Sequence, residues 1–140
     1  MIDSVTIATP RAYPPRVTAF TERFWSALAQ GRLETTRCTA CGEATFPPKP
    51  ICPHCWHGEV SWIELGAEGR LYSWTRIHAG PAVFSAELPY AVGVVDLDEG
   101  IRLAVRLHDD PGTDWQCDAP VRLVRLDYAD GPLLAAVPRG

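Results

Sequence analysis

Arg37-Cys38-Thr39-Ala40-Cys41-Gly42, followed after nine residues by Cys52-Pro53-His54-Cys55, decides how this chain is read. Four thiolates brought to one point repel one another unless a cation sits among them. Zn²⁺ in a tetrahedral all-sulfur site is the commonest answer. The two residues inside each pair let the backbone turn so that both sulfurs face one ion. Gly42 follows the first pair, where a positive φ costs glycine little. The spacing predicts a metal site of Cys38, Cys41, Cys52 and Cys55. A mononuclear iron centre uses the same ligands. Two disulfides would need an oxidising compartment, and nothing in the sequence suggests export. With four protein ligands the site has no open position, so its expected role is structural. His54 and His57 lie beside a filled shell and read as surface residues.

Outward from the cysteines the chain divides into an N-terminal arm and helix (1–31), a metal ribbon (32–65) and a β domain (66–140). Pro10, Pro14 and Pro15 make residues 1–16 an extended arm without a core of its own. Thr18 is the expected helix cap, Phe20, Phe24 and Leu28 recur at a spacing of four, and Gly31 is a natural stop. Such a helix of about fourteen residues needs something to pack on. Pro47, Pro48 and Pro50 make the connection between the cysteine pairs a stiff extended crossing. Val60, Trp62 and Leu65 then read as a short strand. The ribbon is too small to hold itself together by burial, so the metal must supply its stability.

From Gly66 the apolar period becomes two. Strands are expected at 69–78, 90–97, 101–107, 121–126 and 133–137, with Asp98-Glu99-Gly100 as a hairpin turn. In the first, Leu71, Ser73, Thr75 and Ile77 are expected on one face, with Tyr72, Trp74, Arg76 and His78 on the other. Gly93 suggests a bend or bulge. Residues 79–89 and 108–118 are expected loops. Five short antiparallel strands must close on themselves, and a five-stranded barrel of the OB type is the smallest familiar solution. The fold class is therefore mainly β: an N-terminal helix, a zinc ribbon, then a five-stranded OB-fold barrel.

The chain has seventeen acidic residues against twelve arginines and the single Lys49, for a formal net charge of −4. That balance opposes bulk attraction to nucleic acid or anionic membranes. No leader peptide and no apolar run of membrane length are evident, so a cytoplasmic location is expected. Cys117 reads as a small buried hydrophobe.

The order of pieces resembles a known family. They are Phe24-Trp25, Gly31-Arg32-Leu33, the two cysteine pairs, Phe46-Pro47-Pro48, Gly69-Arg70-Leu71-Tyr72-Ser73-Trp74-Thr75, Pro89-Tyr90 and Gly100-Ile101-Arg102. The family is the bacterial and archaeal group labelled domain of unknown function 35, which joins a rubredoxin-like zinc ribbon to an acyl-CoA-associated OB-fold. The resemblance runs from about Phe20 to Pro138. It implies a non-catalytic accessory subunit of a thiolase-superfamily enzyme, a thiolase or a retro-aldolase of steroid side-chain or other lipid breakdown, that helps hold an acyl-CoA. Partners of acyl-CoA hydratases also occur. It places zinc on the four cysteines and carries over no catalytic residue. Where members often have a glycine before the proline that opens the fourth barrel strand, this chain has Asp118-Ala119.

No nucleophile elbow, phosphate loop or His-Glu-x-x-His run is present. Arg76, His78, Arg102 and Arg106 are the candidate CoA contacts, since guanidinium pairs well with phosphate. A charged outer barrel face explains the same arginines. Glu87 stands in the loop before Pro89. Tyr72, Trp74, Trp62 and Phe84 admit another function, stacking single-stranded nucleic acid on the barrel, against which the acidic balance weighs.

Overall fold

The computed structural model describes residues 1–108 and 113–139. Among the described residues nine strands and one α-helix follow in chain order: β1 (Ser4–Thr6), α1 (Glu22–Ala29), β2 (Leu33–Cys38), β3 (Ala44–Thr45), β4 (Val60–Leu65), β5 (Glu68–Ile77), β6 (Tyr90–Leu97), β7 (Arg102–Leu107), β8 (Pro120–Tyr128) and β9 (Gly131–Pro138). β2, β3 and β4 make the ribbon sheet in the order β3-β2-β4. β5 to β9 form the closed barrel: β8-β5-β6-β7-β9, with β9 returning to β8. Only the β7–β9 seam is parallel within that ring. This is the OB-fold barrel expected from the period-two pattern. Closure removes the unpaired edges that five short strands would otherwise expose.

The expected strands recur with small shifts at their ends, and the Asp98-Glu99-Gly100 turn is present, with Gly100 at φ 91°. β5 departs from the simple alternation. A bulge between Leu71 and Ser73 shifts its register against β6. Leu71 and Trp74 therefore both pack on the core, while Tyr72 is exposed. Expecting Tyr72 and Trp74 on one face fails for this reason: an inserted residue flips every side chain beyond it. The bulge is not at Gly93. That residue pairs with Trp74 on the inner face, and a Cβ there would meet Leu71 Cδ1 at 2.8 Å and Leu107 Cδ2 at 2.9 Å.

Helix α1 is shorter than expected, because Thr21 and not Thr18 stands at its N-cap. The two threonines bond to each other instead. Thr18 N–H donates to Thr21 Oγ1 at 2.8 Å, and Thr21 N–H to Thr18 Oγ1 at 3.1 Å, closing a turn before the helix begins. Gly31, at φ 85°, stops it. Arg125 of β8 donates to the end carbonyls of Leu28 and Ala29, satisfying acceptors the helix leaves open.

One hydrophobic core runs through the ribbon and the barrel. Phe24 and Leu28 of α1, Leu33 of β2 and Leu65 of β4 are buried with Leu71, Val95, Leu103, Leu107, Val121 and Leu123 of the barrel. Glu34 on β2 holds the joint from the side, pairing with Arg23 of α1 at 2.9 Å and with Arg32 at 3.5 Å. The ribbon thus shares its core with the barrel.

The N-terminal arm contributes more than expected. β1 pairs in parallel with β8, Val5 opposite Leu126. Ile2 enters the main core, while Val5 and Ile7 cover a second cluster of Val124, Leu126 and Ala135 on the outside of the barrel. Arg11 then clasps Asp130 and the carbonyl of Pro132. Ile2, Val5 and Ile7 are a faint local signal beside the prolines that follow them.

Cys117 is exposed, not buried. It sits at the turn that precedes β8, and Trp115, two residues earlier, takes the buried place. Residues 109–112 of the expected acidic loop lie outside the described residues. At the same turn Asp118 adopts φ 67°, with its N–H donating to Leu71 O at 2.6 Å and its carbonyl accepting from Arg70 at 2.8 Å. Aspartate tolerates the left-handed region better than most residues, which explains how this chain dispenses with glycine there. Asp118→Gly is expected to leave stability within about 0.5 kcal/mol. Asp118→Val, β-branched, is expected to lose about 1–2 kcal/mol, read as a lower urea midpoint.

Candidate functional site

Two matching turns at the tip of the ribbon bring the four cysteines together. β2 delivers Cys38 as its last residue, opposite Val60 of β4. Ala40 and Cys41 N–H groups donate to Cys38 Sγ at 3.3 and 3.4 Å, and His54 N–H donates to Cys52 Sγ at 3.4 Å. The proline-rich crossing between them is tied down by buried threonines of β2. Thr36 Oγ1 donates to Lys49 O and accepts from Lys49 N–H, and Thr35 Oγ1 donates to Thr45 O. Buried hydroxyls inside a strand were the available signal for this tie, and sequence reasoning passed over them.

All four sulfurs lie within 4.8 Å of one another. The Cys38–Cys55 and Cys41–Cys52 separations are 3.5 and 3.6 Å. A disulfide would hold its sulfurs about 2.05 Å apart. A tetrahedron of sulfurs each about 2.3 Å from a zinc ion has edges of about 3.8 Å, which these separations approach. Cys38 and Cys52 are buried, whereas Cys41 and Cys55 are exposed. Electrostatics alone would keep the group divided. The backbone N–H of Cys41 is the main influence lowering the Cys38 thiol to about 6. At Cys41 the Glu43 N–H lowers the pKa, but desolvation of the sulfur itself and hydrogen bonds with the other sulfurs outweigh it and push the thiol up to about 12. Cys55 is also raised, against the pull of the His57 N–H, by its bond with Cys38 and by desolvation of its sulfur. Only a cation lets all four ionise together. The donor set and spacing fit zinc, held by Cys38, Cys41, Cys52 and Cys55, and four ligands leave no place for substrate. His54 and His57 stand outside the shell at the surface.

The second set of candidates lies on the barrel. Arg102 and Arg106 project from the outward face of β7. Arg102 lies 2.6 Å from Asp96 and stacks 3.7 Å from the Tyr72 ring centre. Its hydrogen bond holds the Asp96 carboxyl below the usual range. Arg106 pairs with Glu87 at 2.8 Å and stacks 4.0 Å from Tyr90. Between these two ladders Val92, Val94, Ala104, Ser73 and Thr75 line a shallow depression. Arg76 does not join them. Its register partner is Ala91, on the inward parity of β6, while Arg106 is opposite Val92 on the outward parity. His78 follows β5 and is exposed. The four candidates therefore fall on two sides of the sheet.

Glu87 and Arg106 also line a cavity of about 210 Å³ with Tyr13, Phe84, Leu126 and Tyr128. It opens between the 79–89 loop and the β8–β9 turn, where OB barrels take ligands. The aromatic residues considered for base stacking are dispersed. Trp62 packs on Phe20 at 5.4 Å, Trp74 turns inward, and Phe84 lies 6.0 Å from Tyr90. No helix among the described residues is long and apolar enough to cross a membrane.

Both halves of the chain match family models. Residues 25–61 match the ChsH2 rubredoxin-like zinc ribbon domain, and residues 62–126 match the ChsH2 C-terminal OB-fold domain. The benzoylsuccinyl-CoA thiolase subunit BbsA of Thauera aromatica is 36% identical over 78% of this chain and 76% of its own length. A DUF35 domain-containing scaffold protein of Methanocaldococcus jannaschii is 32% identical over 68% of this chain and 71% of its own. Among solved structures, the Ltp2-ChsH2(DUF35) aldolase superposes with a TM-score of 0.75 at 31% identity, covering 89% of this chain and 98% of that one.

Proposed function

We propose a function from one premise: the chain belongs to the DUF35 family of ChsH2-type proteins, which join a rubredoxin-like zinc ribbon to an OB-fold domain. It is an accessory subunit that docks on a thiolase-superfamily enzyme, a thiolase or a retro-aldolase, and helps secure a CoA thioester while its partner performs the bond chemistry. It works in the cytoplasm, in lipid or steroid breakdown. The observation that carries this reading is that likeness extends across ribbon and barrel together to a benzoylsuccinyl-CoA thiolase subunit and to the chain of an aldolase complex. The shared core supports it mechanically. A barrel and ribbon that share one core present a joint surface, and surfaces that hold reactants in place accelerate reactions by positioning.

Arg102 and Arg106 are the arginines best placed to meet CoA phosphates, since both face outward on one strand. Each is already paired with a carboxylate, so an arriving phosphate displaces Asp96 or Glu87, and the tyrosine beneath keeps the guanidinium in place. Arg76 and His78 serve such a site only from the rim.

Co-expression with thiolase-superfamily proteins encoded beside this gene, followed by co-purification, tests the accessory role. A stable complex is expected, with acyl-CoA affinity in it falling about tenfold for Arg102→Ala or Arg106→Ala. Unchanged affinity removes those arginines from the site. Turnover of a CoA thioester by the purified chain alone would overturn the accessory reading, as would tight, salt-sensitive binding to single-stranded DNA.

A further inference from the structure

The two cysteine turns share their backbone bonds and a left-handed residue after the second cysteine, and that residue is glycine in one and tryptophan in the other. In the first, Gly42 follows the second cysteine at φ 78°, and its N–H donates to Cys38 O at 3.1 Å. In the second, Trp56 stands at the same place, at φ 66°, and its N–H donates to Cys52 O at 2.9 Å. This left-handed position suits glycine and penalises a bulky side chain. The penalty brings no burial in return, because Trp56 is 79% exposed. Ile51, just before Cys52, is 50% exposed on the same turn. A strained backbone that holds an indole in water is a feature that folding alone would remove.

We propose that Trp56, with Ile51 beside it, is the anchor by which the ribbon tip seats in an apolar pocket of the enzyme subunit. The inference rests on the accessory reading above for the identity of that occupant. Tryptophan is the side chain most enriched among residues that dominate protein–protein affinity. A turn whose backbone is fixed by the metal presents it with little conformational freedom left to lose. The indole N–H calls for an acceptor inside the pocket. Charge selects among occupants. Four thiolates around one Zn²⁺ leave net negative charge at the tip, and Cys41 and Cys55 are exposed there. A cationic rim around the partner's pocket complements that charge. A second copy would set two such tips, on two chains of net charge −4, against each other. Nucleic acid would meet the tip with its phosphates.

Trp56→Gly tests this in the full chain. The substitution gives the second turn the residue the first turn already has, where a side chain has nothing within 4 Å to support it. The variant is expected to keep its bound zinc, to show a urea midpoint no lower than the parent's, and to bind the enzyme subunit more than tenfold more weakly by titration calorimetry. Trp56→Phe, which keeps an aromatic ring and loses the N–H, should bind more weakly than the parent and more tightly than Trp56→Gly. Trp56→Gly binding within twofold of the parent overturns the proposal. If the parent chain binds and the variant binds equally, this inference fails alone. If the parent chain binds no such enzyme, the accessory reading fails with it. Self-association of the free chain that disappears in Trp56→Gly would assign the indole to a second copy and also overturn the proposal.

Discussion

Stripping the metal, or replacing Cys52 with Ser, is expected to unfold the ribbon and to take part of the barrel with it. The ribbon sheet is three short strands, one of them the two residues Ala44–Thr45. Its buried apolar residues Leu33 and Leu65 belong to the one core shared with α1 and the barrel, so the ribbon has no separate core of its own. Structural zinc contributes about 10–16 kcal/mol in small zinc domains, against about 5–15 kcal/mol for the whole stability of an ordinary domain. Without the ion, the sulfurs at 3.5 and 3.6 Å no longer share a cation. The turns lose their closure. Leu33, Leu65 and the α1 residues Phe24 and Leu28 then lose their anchor on the core. Elemental analysis should find one zinc per parent chain. The metal-free chain should show a lower unfolding midpoint and a red-shifted tryptophan emission, since Trp25 and Trp62 pack at this joint. Cys117→Ser, exposed and outside the cluster, serves as the control and should change neither. A metal-free chain that melts with the parent's midpoint would show that burial alone holds the ribbon.

Metal ligands, barrel strands and closing turn were legible because each has a local signal. Two cysteine pairs fix a site by themselves, and a strict period of two fixes which residues face inward. What escaped the sequence depends on contacts between distant segments. The bulge after Leu71 costs one residue of register and carries no composition signal, yet it moves Trp74 into the core and parts Arg76 from Arg102 and Arg106. β1 is three residues long and exists because Leu126 offers Val5 a partner. Thr18 and Thr21 are both good caps, and the choice between them was made by the bonds each makes to the other. Cys117 was expected to be buried from residue type, but a turn tip has no inside, and the neighbouring Trp115 had more area to hide.

Gly69→Ala is expected to be the most damaging single-methyl change in the barrel. Gly69 is buried in β5 and has neighbours on both sides, Leu97 of β6 and Val121 of β8. A Cβ there would collide with the Asp96 carbonyl oxygen, and would also sit 2.9 Å from Leu97 Cα and 3.0 Å from the Asp96 carbonyl carbon. All three are backbone atoms of the adjacent strand, held by the β5–β6 ladder, so nothing can rotate away. Relief requires β5 and β6 to part at the corner where the barrel bends, just before the bulge. Gly93 makes the instructive comparison. Its Cβ would also find contacts under 3 Å, but with the Leu71 and Leu107 methyl groups, which can change rotamer. Overpacking against side chains costs about 1–3 kcal/mol, so Gly93→Ala should lose about 1–2 kcal/mol. Gly69→Ala should exceed that, at about 3–5 kcal/mol, the range reached by core strain that cannot relax. Urea unfolding of both variants decides the matter. If Gly93→Ala proves the more damaging of the two, β6 is free to move at that corner, and the glycine opening β5 is not there for close strand approach. If the order holds, the Gly69-Arg70-Leu71 start of the barrel is explained by the nearness of the Asp96 carbonyl.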